Sequence, residues 1–300
     1  MSARGQRLLT AAERAAARYL FRNPTDLPLP WALKRRWTEV VATANLVPGG
    51  LRRASGRIDG VRAERLEPEA GATGGVLLYL HGGGYVQGSP RVQRVIAGRL
   101  ALAGGATSFA PDYRLAPEHG FPAAFDDCLA VYLALAERHG AGNVAIAGDS
   151  AGGGLSLAVA LAARDLGRSP AGLFLICPWV DLAADRSRGP STDPILSRKL
   201  LVDGADAYVG AGDRTDPRCS PLHGDLAGLP PILVHTAAED PLLPDAEALA
   251  GRAAAAGAEI ELVRFPLWHD FHVHAGILDV ADAAIEQAGA FIRERLRAKP

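Results

Sequence analysis

Short apolar runs alternate with stretches of helical periodicity along most of the chain. The apolar runs predict seven strands, at 61–66, 76–80, 106–110, 144–147, 173–177, 232–236 and 260–265. The periodic stretches predict helices at about 91–103, 122–139, 151–165, 245–256 and 276–297. Because strands alternate with helices, we expect an α/β fold with a mostly parallel central sheet and helices on both faces. Ligands in such folds bind beyond the carboxyl ends of the strands.

Two segments depart from this alternation. Apolar positions at helical spacing predict a helix over 7–22, ended by the prolines from Pro24 onward, and a second over 31–43. Arginines line the other side of the first helix, which either lies on a membrane surface or packs on its own domain, and we expect the latter. The interval 178–231 reads as an insertion with a helix near Leu196–Tyr208.

Size, charge and cysteine content narrow the class of protein. The chain has 300 residues, 48% of them hydrophobic, which suits one large globular unit with a sizeable core. With a formal net charge of −1, the chain as a whole has no excess of positive charge that would attract nucleic acid or anionic membranes. The cysteines Cys128, Cys177 and Cys219 are odd in number and widely spaced, so we expect no disulfide framework and no zinc site. The absence of a secretory leader pattern or a long apolar run favours the cytoplasm.

The motif around Ser150 is typical of a nucleophile. The apolar strand 144–147 is followed by Gly148-Asp149-Ser150-Ala151-Gly152 and then by an Ala/Leu-rich helix. A strand that turns sharply into a helix at G-x-S-x-G exposes its serine hydroxyl on a strained turn. A phosphate-binding loop is excluded because no Gly-Lys-Ser/Thr closes the glycine run. We therefore predict that Ser150 is a nucleophile.

A second glycine-rich loop follows the strand 76–80. Its sequence is His81-Gly82-Gly83-Gly84, and a loop of this kind supplies backbone N–H groups that stabilise an oxyanion. We predict that Gly82, Gly83 and Ala151, the residue after the nucleophile, form the oxyanion hole. His81 is expected to support the loop rather than to transfer protons.

A serine nucleophile needs a base and an orienting acid, which on this type of fold follow it in the order acid, histidine. Asp240 lies in the loop after the strand 232–236 and is our candidate acid, with Glu239 as the alternative. His269 is the histidine nearest the end of the last strand and is our candidate base.

Other histidines offer a competing interpretation. His272 and His274 are expected at the start of the terminal helix, and together with His269 and Asp270 they could form a metal site. We favour no metal, because no second ligand cluster is evident in the sequence. Structural or surface roles are expected for the remaining histidines, His119, His139, His223 and His235.

The chain resembles the hormone-sensitive-lipase-like, or bacterial family IV, esterases of the α/β-hydrolase superfamily. The likeness runs from HGGGYVQGSP through Tyr113-Arg114-Leu115-Ala116-Pro117-Glu118 and GDSAGG to the aspartate and histidine loops. It implies a helical cap formed by residues 1–60 with part of 178–231, over a catalytic domain at 61–300. It also implies Ser150, Asp240 and His269 as the catalytic triad.

Two positions depart from the family pattern. Ala237-Ala238-Glu239 stands where the family often has glycine near the acid, which leaves Asp240 and Glu239 both open. Asp270 replaces the glycine that often follows the base, and it places an extra charge beside His269.

These observations lead us to expect a serine carboxylesterase that hydrolyses short- to medium-chain esters through an acyl-enzyme intermediate, without metal or organic cofactor. A lactone hydrolase would use the same residues, and a non-catalytic small-molecule receptor is the alternative from another class. The expected partner is a small ester or lactone, without nucleic acid or stable membrane association, and a homodimer is left open. No apolar surface patch suited to an oil–water interface is evident in the sequence.

Overall fold

A computed structural model of the protein describes residues 3–72, 75–184 and 191–297. It contains one eight-stranded sheet with the strand order β1-β2-β4-β3-β5-β6-β7-β8. The strands are β1 Leu51–Ile58, β2 Val61–Pro68, β3 Val76–Leu80, β4 Thr107–Pro111, β5 Val144–Asp149, β6 Leu173–Ile176, β7 Ile232–Ala237 and β8 Ile260–Phe265. Strand β2 is antiparallel to both β1 and β4, and all other neighbouring pairs are parallel. The predicted α/β fold with a mostly parallel sheet is confirmed.

Helices cover both faces of the sheet. They are α1 Ala3–Ala16, α2 Asn23–Asp26, α3 Trp31–Val41, α4 Arg94–Gly104, α5 Ala123–His139, α6 Ala151–Asp165, α7 Arg198–Val209, α8 Leu243–Ala255 and α9 Asp279–Leu296. Successive residues of a strand point to opposite faces, so β3 places Leu78 and Leu80 in the core under α5, α6 and α8. Its Leu77 and Tyr79 lie in the second core, under α4 and α9. Burial on both faces explains why the central strands are uniformly apolar.

Strand β1 was not predicted and lies within the segment that we expected to be helical. Its sequence LRRASGRI is polar, and six of its eight residues are exposed. The strand lies at the edge of the sheet and, among the strands that the structure describes, pairs with β2 alone, so neither of its faces has to be apolar. A prediction that relies on the periodicity of apolar residues therefore cannot detect this strand.

The N-terminal segment is helical, as predicted, but its boundaries differ. Helix α1 continues as a π-helical stretch, Ala17–Arg22, and then as α2, in which Pro24 is accommodated in the first turn. The helix in the insertion is α7, and the Ser197 hydroxyl accepts the Leu200 N–H at its start at 3.0 Å. Residues 185–190 of that insertion lie outside the described residues.

The outer surface of the N-terminal segment is rich in apolar side chains, among them Tyr19, which is 69% exposed, and Val40, which is 61% exposed. No such apolar surface was evident in the sequence, because only the packed structure shows which face of a helix is left uncovered. Among the described residues, no helix is long and apolar enough to cross a membrane.

Candidate active site

Ser150 occupies a strained turn between β5 and α6. Its backbone has φ 54° and ψ −120°, in a region that residues with a side chain rarely adopt. A Cβ atom at Gly148 would lie 2.4 Å from the Gly152 carbonyl oxygen, and one at Gly152 would lie 2.0 Å from that of Leu80. The glycines are thus required by the close approach of the two backbone segments. The backbone is held by hydrogen bonds from Ser150 N–H to the Ile176 carbonyl (2.8 Å) and from Trp179 N–H to the Ser150 carbonyl (3.0 Å).

The HGGG loop leaves β3 beside this turn, because β3 pairs in parallel with β5 and Leu80 lies opposite Gly148. Gly83 has φ 119°, and a Cβ atom there would lie 2.1 Å from the Gln87 carbonyl oxygen. At Gly82, a Cβ atom would lie 2.2 Å from the Asp149 carboxylate. The loop can therefore form only with glycine at both positions, which brings its backbone close to the Ser150 turn.

His81 supports this loop. Its ring stacks on Tyr113 with the ring centroids 4.1 Å apart, and Tyr113 donates a hydrogen bond to the His81 carbonyl at 2.6 Å. Burial lowers the pKa of His81 to about 4, so the imidazole is neutral near pH 7. A neutral, enclosed ring fits the structural role expected for this residue.

Asp149, inside the nucleophile motif, connects this motif to β3 and to the residue that precedes α4. Its carboxylate accepts hydrogen bonds from Tyr79 (2.6 Å) and from the Gln93 amide. Burial, reinforced by the charge of Asp270, raises the pKa of Asp149 to about 8. The sequence offered no sign of this role, since Tyr79 and Gln93 lie on separate elements.

The structure brings Asp240 and His269 together and separates Glu239 from them. Asp240 Oδ2 accepts a hydrogen bond from His269 Nδ1 at 3.0 Å, and both side chains are almost fully buried. Asp240 Oδ1 accepts the Leu242 N–H at 2.8 Å, which fixes the carboxylate. Glu239 instead points outward and pairs with Arg14 of α1 at 2.6 Å. The geometry thus favours Asp240 over the alternative acid.

Asp193 positions His269 and was missed in the sequence. Its Oδ2 accepts the His269 backbone N–H at 2.7 Å, while Oδ1 accepts the N–H groups of Ile195 (2.7 Å) and Leu196 (2.8 Å). Asp193 is fully buried, and burial raises its pKa to about 6. The Asp193-Pro194 pair indicates a local turn, but nothing in the sequence connects that turn to a residue 76 positions away.

Asp270 contacts the other ring nitrogen of His269. Its Oδ2 lies 3.2 Å from His269 Nε2, and its backbone is left-handed with φ 52°. Burial by itself lowers the pKa of His269, but the carboxylates of Asp240 and Asp270 outweigh it and hold that pKa well above its ordinary value. Among the described residues, the ring nitrogens of His269 contact these two carboxylates, and no hydrogen bond joins the ring to the Ser150 hydroxyl.

The histidine cluster that offered a competing interpretation does not assemble from His269, His272 and His274. His272 and His274 lie on a separate 3-10 turn, Phe271–His274, so the expectation that they begin the terminal helix is wrong. His272 Nε2 lies 3.0 Å from Nδ1 of His235, and His274 Nδ1 lies 3.0 Å from Glu13. Three buried metal-ligating side chains do converge, those of Cys177, His269 and Asp270, with their ligand atoms within 4.8 Å of one another.

A cavity of about 360 Å³ lies against the serine turn, the glycine loop and the His269 side chain. Ser150, His269 and Asp270 line its floor together with the loop glycines 82–84, and Trp179 lines one wall. The remaining walls are largely apolar and come mostly from the N-terminal segment and from residues 195–201, which lead into α7. They include Ala16, Ala17, Leu20, Phe21, Val41, Leu46, Ile195, Leu196, Leu200 and Leu201. An apolar pocket over a few convergent polar groups is the usual form of a small-molecule site.

Comparisons with known proteins agree with this arrangement. Residues 77–273 match the family described as alpha/beta hydrolase fold. LipR of Mycobacterium tuberculosis is 44% identical over 83% of this chain and 82% of its own, and an acetyl-hydrolase of Streptomyces hygroscopicus is 42% identical over 77% and 79%. The crystal structure of the hormone-sensitive lipase homologue EstE7, from a metagenome library, superposes with a TM-score of 0.87 at 36% identity, covering 97% of this chain and 98% of that one. The chain therefore belongs to the α/β-hydrolase fold family, among the bacterial esterases related to hormone-sensitive lipase, and it is a carboxylic ester hydrolase.

Proposed function

We propose that the chain is a serine carboxylesterase that hydrolyses short- to medium-chain esters through an acyl-enzyme intermediate. Ser150 is the proposed nucleophile, His269 the base and Asp240 the acid. Gly82, Gly83 and Ala151 are the proposed oxyanion donors. The observation that carries the proposal is the buried hydrogen bond of 3.0 Å between Asp240 and His269, because His269 lines the same cavity as Ser150.

In the proposed acylation step, Ser150 Oγ attacks the carbonyl carbon of the ester and His269 Nε2 takes the hydroxyl proton. The negative charge that develops on the carbonyl oxygen is stabilised by N–H groups of the glycine loop and of Ala151. The carbon–oxygen bond to the alcohol then breaks, and His269 returns the proton to the departing alcohol. Asp240 holds Nδ1 protonated throughout, so Nε2 is the nitrogen that exchanges the proton.

In the proposed deacylation step, water replaces the alcohol. His269 Nε2 takes a proton from the water as it attacks the acyl carbon, and then returns that proton to Ser150 Oγ. The acid product leaves and the enzyme is regenerated. Both steps need Nε2 to face the serine or the water, so His269 must exchange its contact with Asp270 for one with the reacting oxygen.

The size of the cavity supports a preference for small acyl groups. Its volume of about 360 Å³ lies at the lower end of the range of roughly 300–1,000 Å³ for ligand pockets. The bulky side chain of Trp179 lines this cavity and takes up space beside Ser150 that a larger acyl group would need. The proposed cap consists of the N-terminal segment with part of 178–231, because helices from both supply the apolar walls.

The same residues would open a lactone, which is a cyclic ester, so lactone hydrolysis remains the alternative activity. A receptor without catalysis would not need the buried acid–histidine pair or the strained serine, which argues against that class. A cytoplasmic location remains part of the proposal, and it is supported by three buried cysteines that are free thiols.

The test is covalent labelling. A fluorophosphonate probe should label Ser150 stoichiometrically, and Ser150→Ala should lose on the order of 10⁶ in turnover of an activated ester, as in a serine-protease triad. Ser156→Ala is the matched control, because Ser156 is a buried serine of the same helix whose hydroxyl bonds the Gly152 carbonyl at 2.7 Å. Labelling at another residue, or full turnover by Ser150→Ala, would disprove the assignment.

A further inference from the structure

The exposed apolar side chains of this protein are concentrated on one segment. Eleven large hydrophobic side chains are exposed among the described residues, and nine of them lie between residues 8 and 46. They are Leu8, Tyr19, Leu20, Leu27, Leu29, Leu33, Trp37, Val40 and Leu46. The other two, Leu166 and Val280, lie on different elements. Scattered exposed apolar residues need no explanation, but a concentration of this kind marks an interaction surface.

Part of this concentration is a stripe on α3. Leu33, Trp37 and Val40 follow one another at the spacing of a single helix face and are 40–61% exposed. On another face of the same helix, Lys34 and Thr38 are buried. Trp37 Nε1 donates a hydrogen bond to the Leu20 carbonyl at 2.6 Å, which connects the stripe to the π-helical stretch.

The same segment carries a strong positive charge. Residues 1–46 contain eight Arg and Lys against three Asp and Glu, a net +5 in a chain of net −1. Arg14 and Arg35 form ion pairs with Glu239 and Glu118 of the main domain. Four further arginines are exposed and form no ion pair with any residue that the structure describes: Arg4, Arg7, Arg18 and Arg36.

The apolar surface reaches the active-site cavity. Leu20 and Leu46 are about half exposed, and both also line the cavity above Ser150. The rim of the cavity is therefore continuous with the apolar surface. An ester dissolved in an apolar phase against this rim would reach Ser150 without crossing bulk water.

We propose that residues 3–46 form a peripheral binding surface for anionic lipid membranes, which holds the cavity mouth against the lipid. Apolar side chains enter the boundary between headgroups and acyl chains, and the four unpaired arginines contact lipid phosphates. A second copy of the chain fits this surface less well, because two such faces would bring like charges together. This proposal replaces the expectation of no stable membrane association, and it does not depend on the catalytic assignments.

The test is co-sedimentation of the full chain with vesicles. Partitioning onto phosphatidylcholine vesicles containing phosphatidylglycerol should exceed that onto phosphatidylcholine alone by roughly 10-fold or more, since each arginine near an anionic surface adds to binding. High salt should remove most of the difference because it screens these charges. Equal partitioning onto the two vesicles, or none onto either, would overturn the proposal.

Variants separate the apolar and the charged contributions. Leu33→Ser with Val40→Ser should weaken partitioning several-fold, whereas Leu166→Ser, which alters an exposed leucine outside the segment, should not. Arg7→Glu with Arg18→Glu should abolish the preference for anionic vesicles, whereas Arg53→Glu on the edge strand should leave it unchanged. Hydrolysis of a water-soluble ester should be unaffected throughout. A dimer in light scattering that Leu33→Ser with Val40→Ser dissociates would assign the surface to a second copy and reject the lipid proposal.

Discussion

At the scale of single residues, the candidate site is one imidazole among several buried carboxylates. Asp240 and Asp270 contact the two ring nitrogens of His269, and Asp193 holds its backbone. These three carboxylates differ in what they do, because each reaches a different atom of the same residue. Substitutions should therefore separate their roles.

The first residue-scale prediction concerns the two neighbouring acids. Asp240→Asn should lower kcat by about 10⁴, the effect of the corresponding change in a serine-protease triad, because the amide no longer fixes the histidine tautomer. Glu239→Gln is the matched control and should cost far less, since Glu239 faces Arg14 and is 35% exposed. Steady-state kinetics on one activated ester measures both, and a larger loss for Glu239→Gln would transfer the role of acid to that residue.

The second residue-scale prediction concerns pH. A base must be neutral to accept a proton, so the raised pKa of His269 places the acid limb of kcat/KM above the ordinary histidine value of about 6.5. Asp270→Asn removes one of the charges that raise this pKa, and the acid limb should move to lower pH. Turnover at neutral pH should then increase, because more of the histidine is neutral.

The matched control for the pH prediction is Glu13→Gln. Glu13 lines the same cavity, but its carboxylate bonds His274 rather than His269. Complete pH profiles of the three proteins, with folding checked at each pH, measure the effect. An acid limb that stays in place in Asp270→Asn, or that moves equally in Glu13→Gln, would contradict the role given to Asp270.

At the scale of elements, the site depends on how the insertion and the N-terminal segment hold the base loop. Arg22 of the π-helical stretch donates hydrogen bonds to the backbone carbonyls of Ser191 (2.8 Å) and Asp193. Asp193 in turn holds the backbone of His269. The start of the chain, the insertion and the loop that carries His269 are thus linked through one buried residue, Asp193, whose backbone carbonyl bonds Arg22 and whose carboxylate bonds His269.

Asp193→Ala should therefore lower kcat more than it changes KM, by up to about 10²-fold, which is the cost of a small misplacement of a reacting group. It should also lower the melting temperature, because three backbone N–H groups lose a buried acceptor. Asp225→Ala is the control, since the exposed Asp225 accepts the Ala227 N–H at 3.0 Å in a similar turn. A loss of stability without any change in kcat would show that Asp193 does not position the base.

At the scale of the whole molecule, the cavity and the outer surface make separate contributions. Under the proposed function the cavity limits the size of the acyl group, whereas the proposed lipid surface determines where the enzyme meets its substrate. We predict that kcat/KM for p-nitrophenyl esters falls from short or medium acyl chains toward palmitate. A maximum at palmitate, measured below the aggregation limit of each ester, would show that the cavity opens further than its described walls allow.

The sequence alone determined the features that depend on neighbouring residues. The turn around Ser150 and the HGGG loop could be recognised because both need glycine at fixed positions for steric reasons. The central strands and most helices followed from the periodicity of burial. Strand β1 did not, since a polar edge strand carries no such pattern.

The features that depend on contacts between residues far apart in the chain became visible only in the tertiary structure. The proposed choice of Asp240 over Glu239 rests on which of the two side chains reaches His269. The role of Asp193 and the raised pKa of His269 require groups that meet only after folding. The exposed apolar face of the N-terminal segment also became visible only in the folded molecule. Periodicity in the sequence indicates that a helix has an apolar and a polar side, but it does not show which apolar side chains remain uncovered.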